Sequence, residues 1–365
     1  MSHDAAAADA VHMARALQLA QRGLFTTDPN PRVGCVLIGN GSMVGEGWHA
    51  RAGEPHAEVL ALRAAGERAR GATAYVTLEP CSHVGRTPPC ADALIAAGVA
   101  RVFCAVADPN PLVAGAGIER LRAAGIPVVL GLLGAEARGL NVGFFSRFER
   151  GRPYVRLKLA MSLDARTAHA GGVKAWISGE AARADVQQWR ARSSAVLTGA
   201  GTVRADDPRL DVRLDYGPWV RQPLRVLLDS TLACAADAKI FRGDGAVVFA
   251  AEETAAASGA AARRVERVPR AGAGLDLDAV LKRLTDHAVN ELLVECGPRL
   301  AAGFLASMRV DELILYVAPS FLGTDAAPLT ALRGMGLEAV KERFEFTEAR
   351  RIGEDLRLIL QTKKA

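Results

Sequence analysis

Alternating apolar and polar segments divide the first part of the chain into helices and strands. Short runs rich in valine and isoleucine alternate with longer segments whose apolar residues recur at helical spacing. This alternation is typical of an α/β sandwich built around a mixed sheet. The pattern predicts helices near 9–22, 57–69, 88–97 and 118–124, and strands at 33–38, 43–47, 73–78, 102–107 and 127–130.

A second α/β set of segments follows a polar junction at 147–153, where Gly151 and Pro153 interrupt regular structure. We therefore expect two domains, 1–147 and 151–365, because 365 residues suit two domains of ordinary size. The last apolar runs indicate an antiparallel edge. The pattern predicts helices at 180–192, 277–286 and 300–307, and strands at 154–160, 195–198, 224–228, 246–250, 291–295, 312–318, 344–352 and 356–361.

Composition and charge narrow the class of protein. Half of the residues are hydrophobic and 23% are charged, which is typical of a globular protein. The formal net charge is only +5 and the basic residues are scattered without interleaved aromatics, so we expect no nucleic-acid partner. The N-terminal segment lacks the pattern of a signal peptide, and no stretch approaches the roughly 18 apolar residues of a membrane helix. We expect a cytoplasmic homo-oligomer with no membrane partner.

The strongest chemical signal is a histidine-glutamate pair, His56 and Glu58, followed by Cys81 and Cys90. Catalytic zinc takes three protein ligands and keeps one position open for water. One imidazole and two thiolates supply such a set. Glu58 is not needed as a ligand, so its carboxylate can take a proton from water and later deliver it to a departing amine. The arrangement predicts a zinc-dependent deaminase.

The cysteine spacing departs from the usual deaminase pattern, because eight residues, 82–89, separate Cys81 from Cys90 instead of two. This longer loop can carry substrate-recognition groups. One alternative is a structural zinc site with His83 as the fourth ligand, although that leaves Glu58 without a chemical purpose.

Two further alternatives concern the whole chain. A nucleoside or nucleic-acid deaminase with an appended binding module predicts aromatic stacking surfaces and a basic groove, whereas the chain has only 4 Trp and 4 Tyr. A zinc-stabilised scaffold without activity would leave Glu58 replaceable.

The second domain carries weaker motifs. Gly199 and Gly201 follow a predicted strand, but Arg204 stands where the dinucleotide fingerprint requires a third glycine. Near 294–300 an apolar strand ends and a Gly-Pro step opens a helix. Such a turn aims N–H groups at a phosphate, and it equally suits an ordinary turn with proline in the first helical turn.

Several segments resemble the bifunctional deaminase-reductase family of riboflavin biosynthesis, over nearly the whole chain. In the first half they are 28–35 (DPNPRVGC), 53–58 (GEPHAE), 78–90 (LEPCSHVGRTPPC) and 108–111 (DPNP). In the second half they are 158–168 (KLAMSLDARTA), 176–178 (WIS), 202–208 (TVRADDP) and 295–298 (ECGP).

The resemblance implies a cytidine-deaminase-like α/β/α sandwich followed by a dihydrofolate-reductase-like α/β domain, which binds its nicotinamide cofactor without the dinucleotide fingerprint. The implied small-molecule substrate is 2,5-diamino-6-(5-phosphoribosylamino)pyrimidin-4-one, whose ring amine is replaced by water. The ribosyl group is then reduced to a ribityl chain. The implied cofactors are Zn²⁺ and NADPH.

Matching positions imply the site residues. In the deaminase, substrate contacts fall on Asn30, His49, His83, Arg86, Asp108 and Asn110. In the reductase, cofactor contacts fall on Ala160, Trp176, Thr202, Asp206, Ser230, Gly297, Pro298, Arg299, Leu300, Ala301, Ala302 and Gly303. Reductase substrate contacts fall on Lys174, Arg190, Leu210, Arg213 and Glu295. Ala165 departs from the glycine usual in the family, and Lys174 departs from the usual serine.

Some of these residue types are also common at positions that bind no ligand. Asp108 and Asn110 lie between prolines, where they are ordinary turn residues. His49 would equally suit a surface position after a strand. Arg190 and Arg213 are good clamps for a sugar phosphate, and they would equally suit an exposed surface.

Overall fold

The computed structural model describes residues 3–82, 89–172, 175–255, 264–332 and 343–363. The chain divides into two compact units, Met1–Gly151 and Arg152–Ala365. Each unit has a buried apolar core of its own. No helix among the described residues is long and apolar enough to cross a membrane.

Unit 1 is a mixed sheet with helices on both faces. Its helices are α1 (His3–Gln21), α2 (Ala57–Ala65), α3 (Cys90–Ala97), α4 (Ala116–Ala123), α5 (Gly134–Leu140) and α6 (Val142–Arg150), with a 3₁₀ turn at Gly66–Ala69. Its strands are β1 (Gly34–Gly39), β2 (Ser42–Trp48), β3 (Thr73–Val76), β4 (Arg101–Cys104) and β5 (Val128–Leu130). The order is β2-β1-β3-β4-β5, with β1 antiparallel to both neighbours and β3, β4 and β5 parallel.

Alternate residues of the central strands face the two helical layers, because strand side chains point to opposite faces in turn. Leu37 of β1 packs in one buried cluster with Leu94 of α3. Its neighbour Val36 packs in another cluster with Met13 of α1. The α/β/α sandwich expected for the first half is confirmed.

Unit 2 is built on a larger sheet. Its helices are α7 (Glu180–Arg192), α8 (Ala200–Asp206), α9 (Leu277–Asp286) and α10 (Pro298–Ala306), with 3₁₀ turns at Ala170–Gly172 and Lys239–Phe241. Its strands are β6 (Tyr154–Ser162), β7 (Arg166–Ala168), β8 (Ala195–Gly199), β9 (Leu224–Leu228), β10 (Ala246–Ala251), β11 (Arg264–Val268), β12 (Arg270–Ala271), β13 (Gly274–Leu275), β14 (Glu291–Glu295), β15 (Glu312–Ala318), β16 (Ala327–Pro328), β17 (Phe344–Ile352) and β18 (Asp355–Thr362).

The main sheet of unit 2 has the order β11-β10-β9-β8-β14-β6-β15-β18-β17. The strands from β11 to β15 are parallel, whereas β18 and β17 are antiparallel, which confirms the expected edge. Val294 of β14 packs in one cluster with Phe304 of α10, and its neighbour Leu293 packs in another with Trp189 of α7. The α/β class expected for the second half is confirmed.

The structure adds elements that the sequence pattern did not predict. Residues 147–150, part of the predicted polar junction, form the last turn of α6, which ends at Gly151. The short helices α5 and α8 and the polar edge strand β11 were also missed. The predicted helix at 88–97 begins at Cys90, and Pro88 lies outside the described residues.

Candidate functional site

Three metal-ligating side chains converge in unit 1. The ligand atoms of His56, Cys81 and Cys90 all lie within 4.8 Å of one another. His56 Nδ1 is 3.2 Å from Cys90 Sγ and 3.6 Å from Cys81 Sγ. One imidazole and two thiolates at this spacing fit a zinc ion that keeps a fourth position open.

Local structure places each of these ligands. His56 directly precedes α2, Cys90 is the first residue of α3, and Cys81 lies in the segment between β3 and α3. The backbone N–H of Cys90 points at Cys81 Sγ, 3.4 Å away. A Cβ on Gly47 of β2 would lie 2.6 Å from the carbonyl oxygen of Ala57, so this glycine allows α2 to approach the sheet.

The two thiols influence each other's ionisation. A hydrogen bond from the Cys90 thiol lowers the pKa of Cys81, and His56 lowers it further. The same hydrogen bond and burial raise the pKa of Cys90. A metal ion would bind both sulfur atoms as thiolates, so its binding would release the thiol proton that remains on the pair.

Glu58 lies beside these ligands. It belongs to the first turn of α2, and it is only 3% exposed. Burial raises the pKa of Glu58 to about 7. A divalent cation at the three ligands would lower this value by its charge, which leaves a carboxylate able to accept a proton.

Asn30 and His49 form a pair next to His56. His49 is buried, and its ring lies edge-on to that of His56 with centroids 5.3 Å apart. Because the Pro55 carbonyl can only accept, His49 Nδ1 donates to it at 3.3 Å, and Nε2 accepts from Asn30 Nδ2 at 3.0 Å. Burial lowers the pKa of His49, which agrees with a neutral ring.

Asp108 and Asn110 lie together in a turn. The Asn110 N–H donates to Asp108 Oδ1 at 2.8 Å, and the Leu112 N–H donates to Asn110 Oδ1 at 3.1 Å. The turn is held by Glu79, which accepts from the Asp108 N–H at 3.1 Å and to which our sequence analysis assigned no role. The sequence signal was an acidic residue two positions before the ligand Cys81. His83 and Arg86 lie outside the described residues.

In unit 2 the predicted cofactor positions follow the carboxyl ends of parallel strands, where α/β sheets bind ligands. Thr202 of α8, after β8, accepts from the Gly297 N–H, after β14, at 3.2 Å. The residue before α10 is Gly297, which has no side chain to cap the helix, and Pro298 at the first helical position has no N–H. The N–H groups that follow Pro298 in the first turn therefore fit an anionic group of a nucleotide cofactor. The predicted positions Pro298, Arg299, Leu300, Ala301, Ala302 and Gly303 all belong to this helix.

Three other predicted cofactor positions lie in or after strands of the same sheet. Ala160 of β6 accepts from Thr167 Oγ1 at 2.9 Å, and Asp206 ends α8. Ser230 follows β9, and its carbonyl accepts from Thr254 Oγ1 at 2.6 Å. Trp176 is 77% exposed, and the guanidinium carbon of Arg183 lies 5.1 Å from the centroid of its ring. The other face of the indole suits an aromatic cofactor ring.

Arg190 and Glu295 form an ion pair with little exposed surface. Arg190 Nε and Nη2 donate to the two carboxylate oxygens of Glu295 at 2.6 and 2.9 Å, and Nη1 donates to the Asp211 carbonyl at 3.1 Å. Burial alone would raise the pKa of Glu295, but Arg190 outweighs it and the pKa is lowered. The guanidinium of Arg190 is therefore engaged by a carboxylate at short range, whereas Arg213, whose side chain is 52% exposed, lies at a longer 4.0 Å from the Asp211 carboxylate.

Lys158 is a further residue to which our sequence analysis assigned no role. Its pKa is lowered by burial, against the opposing charge of Glu295. The signal was a lysine between two leucines of a strand, two residues before Ala160. Leu210 is buried with a left-handed backbone, φ 56°, and Lys174 lies outside the described residues.

Comparison with known proteins covers both units. Residues 153–358 match the RibD C-terminal domain, and residues 7–106 match the cytidine and deoxycytidylate deaminase zinc-binding region. The chain is 50% identical to the riboflavin biosynthesis protein RibD of Escherichia coli (strain K12), over 96% of this chain and 99% of that protein. It is 46% identical to RibD of Haemophilus influenzae, over 97% and 98%.

Solved structures agree with these matches. Acinetobacter baumannii RibD, form 1, superposes with a TM-score of 0.91 at 43% identity, over 98% of this chain and 100% of that chain. A diaminohydroxyphosphoribosylaminopyrimidine deaminase/5-amino-6-(5-phosphoribosylamino)uracil reductase from Thermotoga maritima superposes with a TM-score of 0.86 at 31% identity, over 98% and 99%. The chain therefore belongs to the RibD family of riboflavin biosynthesis proteins, the bifunctional deaminase-reductases.

Proposed function

We propose that this chain catalyses two consecutive reactions of riboflavin biosynthesis. Unit 1 deaminates 2,5-diamino-6-(5-phosphoribosylamino)pyrimidin-4-one with the help of Zn²⁺, and unit 2 reduces the ribosyl group of the product to ribityl with NADPH. The observation that carries the proposal is the convergence of His56, Cys81 and Cys90 beside the buried carboxyl of Glu58. We also propose that the chain is a homo-oligomer, which its mass in solution tests.

In the deaminase, a zinc ion held by the three ligands supplies Lewis-acid activation of water. Glu58 takes the proton from the attacking water and returns it to the departing amine, because its carboxyl group adjoins the ligands and is screened from solvent. Asn30, oriented by His49, and Asn110 read the donor and acceptor edge of the ring. Asp108 and the loop residues His83 and Arg86 complete the proposed substrate site, with Arg86 suited to the phosphate.

In the reductase, NADPH supplies the hydride. The N terminus of α10 and Thr202 hold an anionic part of the cofactor, and the face of Trp176 covers an aromatic ring. Such binding residues dominate the site, since hydride transfer needs mainly the alignment of donor and acceptor. Glu295 is a proposed substrate contact, and Arg213, whose side chain is 52% exposed, is the proposed partner of the sugar phosphate.

The test supplies zinc-replete protein with the diaminopyrimidinone, with and without NADPH, and follows ammonia and cofactor absorbance. We expect ammonia in both cases and NADPH oxidation only after deamination. Glu58→Gln should bind zinc and fold but release no ammonia, while it still reduces the deaminated compound. Glu149→Gln is the matched control, because Glu149 is an exposed glutamate whose ion-pair partner is Arg138.

Two results would contradict the proposal. If the wild-type protein turns over deoxycytidylate and not the diaminopyrimidinone, the assignment of the deaminase substrate is wrong. If folded protein with bound zinc does not oxidise NADPH in the presence of the deaminated compound, the assignment of the reductase is wrong.

A further inference from the structure

Glu79 joins the segment that carries the ligand Cys81 to the turn that carries Asp108 and Asn110. We propose that Glu79 is a positioning residue for deamination, which fixes this substrate-binding turn relative to the metal centre. The inference rests on the proposed function, since it assumes that the turn contacts the substrate. Glu79 itself contacts neither the ligand set nor, in this scheme, the pyrimidine.

The carboxylate of Glu79 accepts hydrogen bonds from four backbone N–H groups. Its residue surface is 3% exposed. Oε2 accepts from the N–H groups of Asp108 at 3.1 Å and Gly115 at 3.0 Å. Oε1 accepts from those of Gly117 at 2.9 Å and Ile118 at 3.3 Å. One side chain therefore holds both ends of the segment 108–118 by hydrogen bonds to a charged acceptor, which are stronger than neutral ones.

The side chain of Glu79 also caps the N terminus of α4. The residue before α4 is Gly115, which has no side chain to cap the helix. Glu79 accepts from the N–H groups of the first turn instead, and its negative charge is favoured there by the helix dipole. The end of α4 is thus held by a residue that lies two positions from a metal ligand.

Helix α4 also packs closely against the segment that carries Cys81, which restricts movement between them. A Cβ on Gly117 would lie 1.9 Å from the carbonyl oxygen of Pro80, the residue between Glu79 and Cys81. The backbone of α4 therefore touches the backbone of the ligand segment. From Asp108 the chain continues through the two turn hydrogen bonds to Asn110 and Leu112, so a shift at Glu79 moves the whole turn.

Glu79→Gln removes both the negative charge of Glu79 and one of its two acceptor oxygens. A glutamine has one acceptor oxygen, and its amide group would face two N–H donors at the other end of the side chain. Either the pair Asp108 and Gly115 or the pair Gly117 and Ile118 loses its acceptor. The turn then shifts, whereas His56, Cys81 and Cys90 keep their mutual contacts.

The experiment measures steady-state deamination by Glu79→Gln, Glu79→Asp and the wild type in the full-length, zinc-loaded protein. We expect Glu79→Gln to raise KM for the diaminopyrimidinone about tenfold or more, with a smaller effect on kcat, because a displaced binding group misaligns the substrate. Glu79→Asp, which keeps the charge on a shorter side chain, should recover part of the change. Zinc content, the reductase rate and the exposed control Glu149→Gln should match the wild type.

A double-mutant cycle with Asn110→Ala tests whether Glu79 acts through the turn. The double variant should have a KM close to that of the more impaired single variant, since both changes remove the same contact. Additive effects, or an unchanged KM in folded Glu79→Gln, would overturn the proposal. If both Glu79 variants lose zinc or the fold of unit 1, the role is structural and the proposal is wrong. Failure of the proposed function is distinguishable, because the wild type itself would then release no ammonia.

Discussion

Arg190→Met tests what the guanidinium of Arg190 does in unit 2. The structure places Arg190 against Glu295 with two hydrogen bonds of 2.6 and 2.9 Å, and the exposed fractions of the two side chains are only 9% and 13%. Methionine keeps an apolar stem in α7 but removes the charge. The carboxylate of Glu295 is then left in a poorly solvated position without its main partner.

Removal of one partner of a buried ion pair typically destabilises a protein by about 3–5 kcal/mol. Lys158 also lowers the pKa of Glu295, so part of the compensation remains in the variant. We therefore expect the lower end of this range, about 3 kcal/mol. The double variant Arg190→Met/Glu295→Met should recover most of this loss, because a buried pair can be exchanged for apolar residues at little net cost.

The effect should depend on pH with a defined sign. The pKa of Glu295 is lower in the folded protein than its usual value, so the ionised pair stabilises the fold above that usual value. The stabilisation is lost as the pH falls through the folded pKa. The difference between wild type and Arg190→Met should thus be largest near neutrality and should shrink below about pH 4.

Urea unfolding followed by tryptophan fluorescence measures the free energy of unfolding, since three of the four tryptophans, Trp176, Trp189 and Trp219, belong to unit 2. Trp48 belongs to unit 1, so its contribution is removed by running the series in a Trp48→Phe background. Arg283→Met is the matched control, because the contact of Arg283 with Asp286 is exposed and 3.8 Å long, and we expect a change within about 0.5 kcal/mol. A loss below about 1 kcal/mol for Arg190→Met, with a raised KM for the phosphorylated substrate, would refute the reasoning and assign Arg190 to the phosphate.

Two further changes test other parts of the structure. Cys81→Ala should remove zinc and abolish ammonia release but spare reduction of the deaminated compound. Metal analysis and separate assays of the two reactions measure this. Loss of both activities from a folded variant would contradict the independence of the two sites. Ala165→Gly should raise the free energy of unfolding by about 0.5 kcal/mol, because Ala165 adopts a left-handed backbone with φ 56°, and the strain relieved exceeds the entropy gained by the unfolded chain. Urea unfolding measures it, and a lower stability would show that the Ala165 side chain makes a compensating contact.

The local pattern of apolar residues was sufficient to predict many of the helices and strands. The strands Leu224–Leu228, Glu291–Glu295 and Glu312–Ala318 begin and end where continuous or alternating apolar residues predicted. The helices Glu180–Arg192 and Leu277–Asp286 do so as well. The continuous apolar runs of β9 and β14 are buried on both faces, and the buried residues Val280, Leu281 and Leu284 of α9 recur at helical spacing.

Other elements depend on contacts that the pattern does not contain. Helix α8 is short and includes Gly201, so its intrinsic preference for helix is weak, and its place after β8 stabilises it. Strand β11 is polar because it lies at the edge of the sheet, and its backbone pairs with β10 without an apolar stripe. Helix α6 extends through polar residues up to Gly151, whose left-handed backbone ends it.

The two sites also combine features that the sequence predicts with contacts that only the folded chain reveals. The sequence by itself determined the chemistry available in unit 1, since His56, Glu58, Cys81 and Cys90 form a pattern that short-range spacing makes recognisable. Only the tertiary structure decided which charged groups meet. Arg190 and Glu295 are 105 positions apart, and the partners of Glu79 lie 29 to 39 positions further along the chain. Such pairings follow from how strands and helices pack, because a hydrogen bond depends on distance in space and not on separation in sequence.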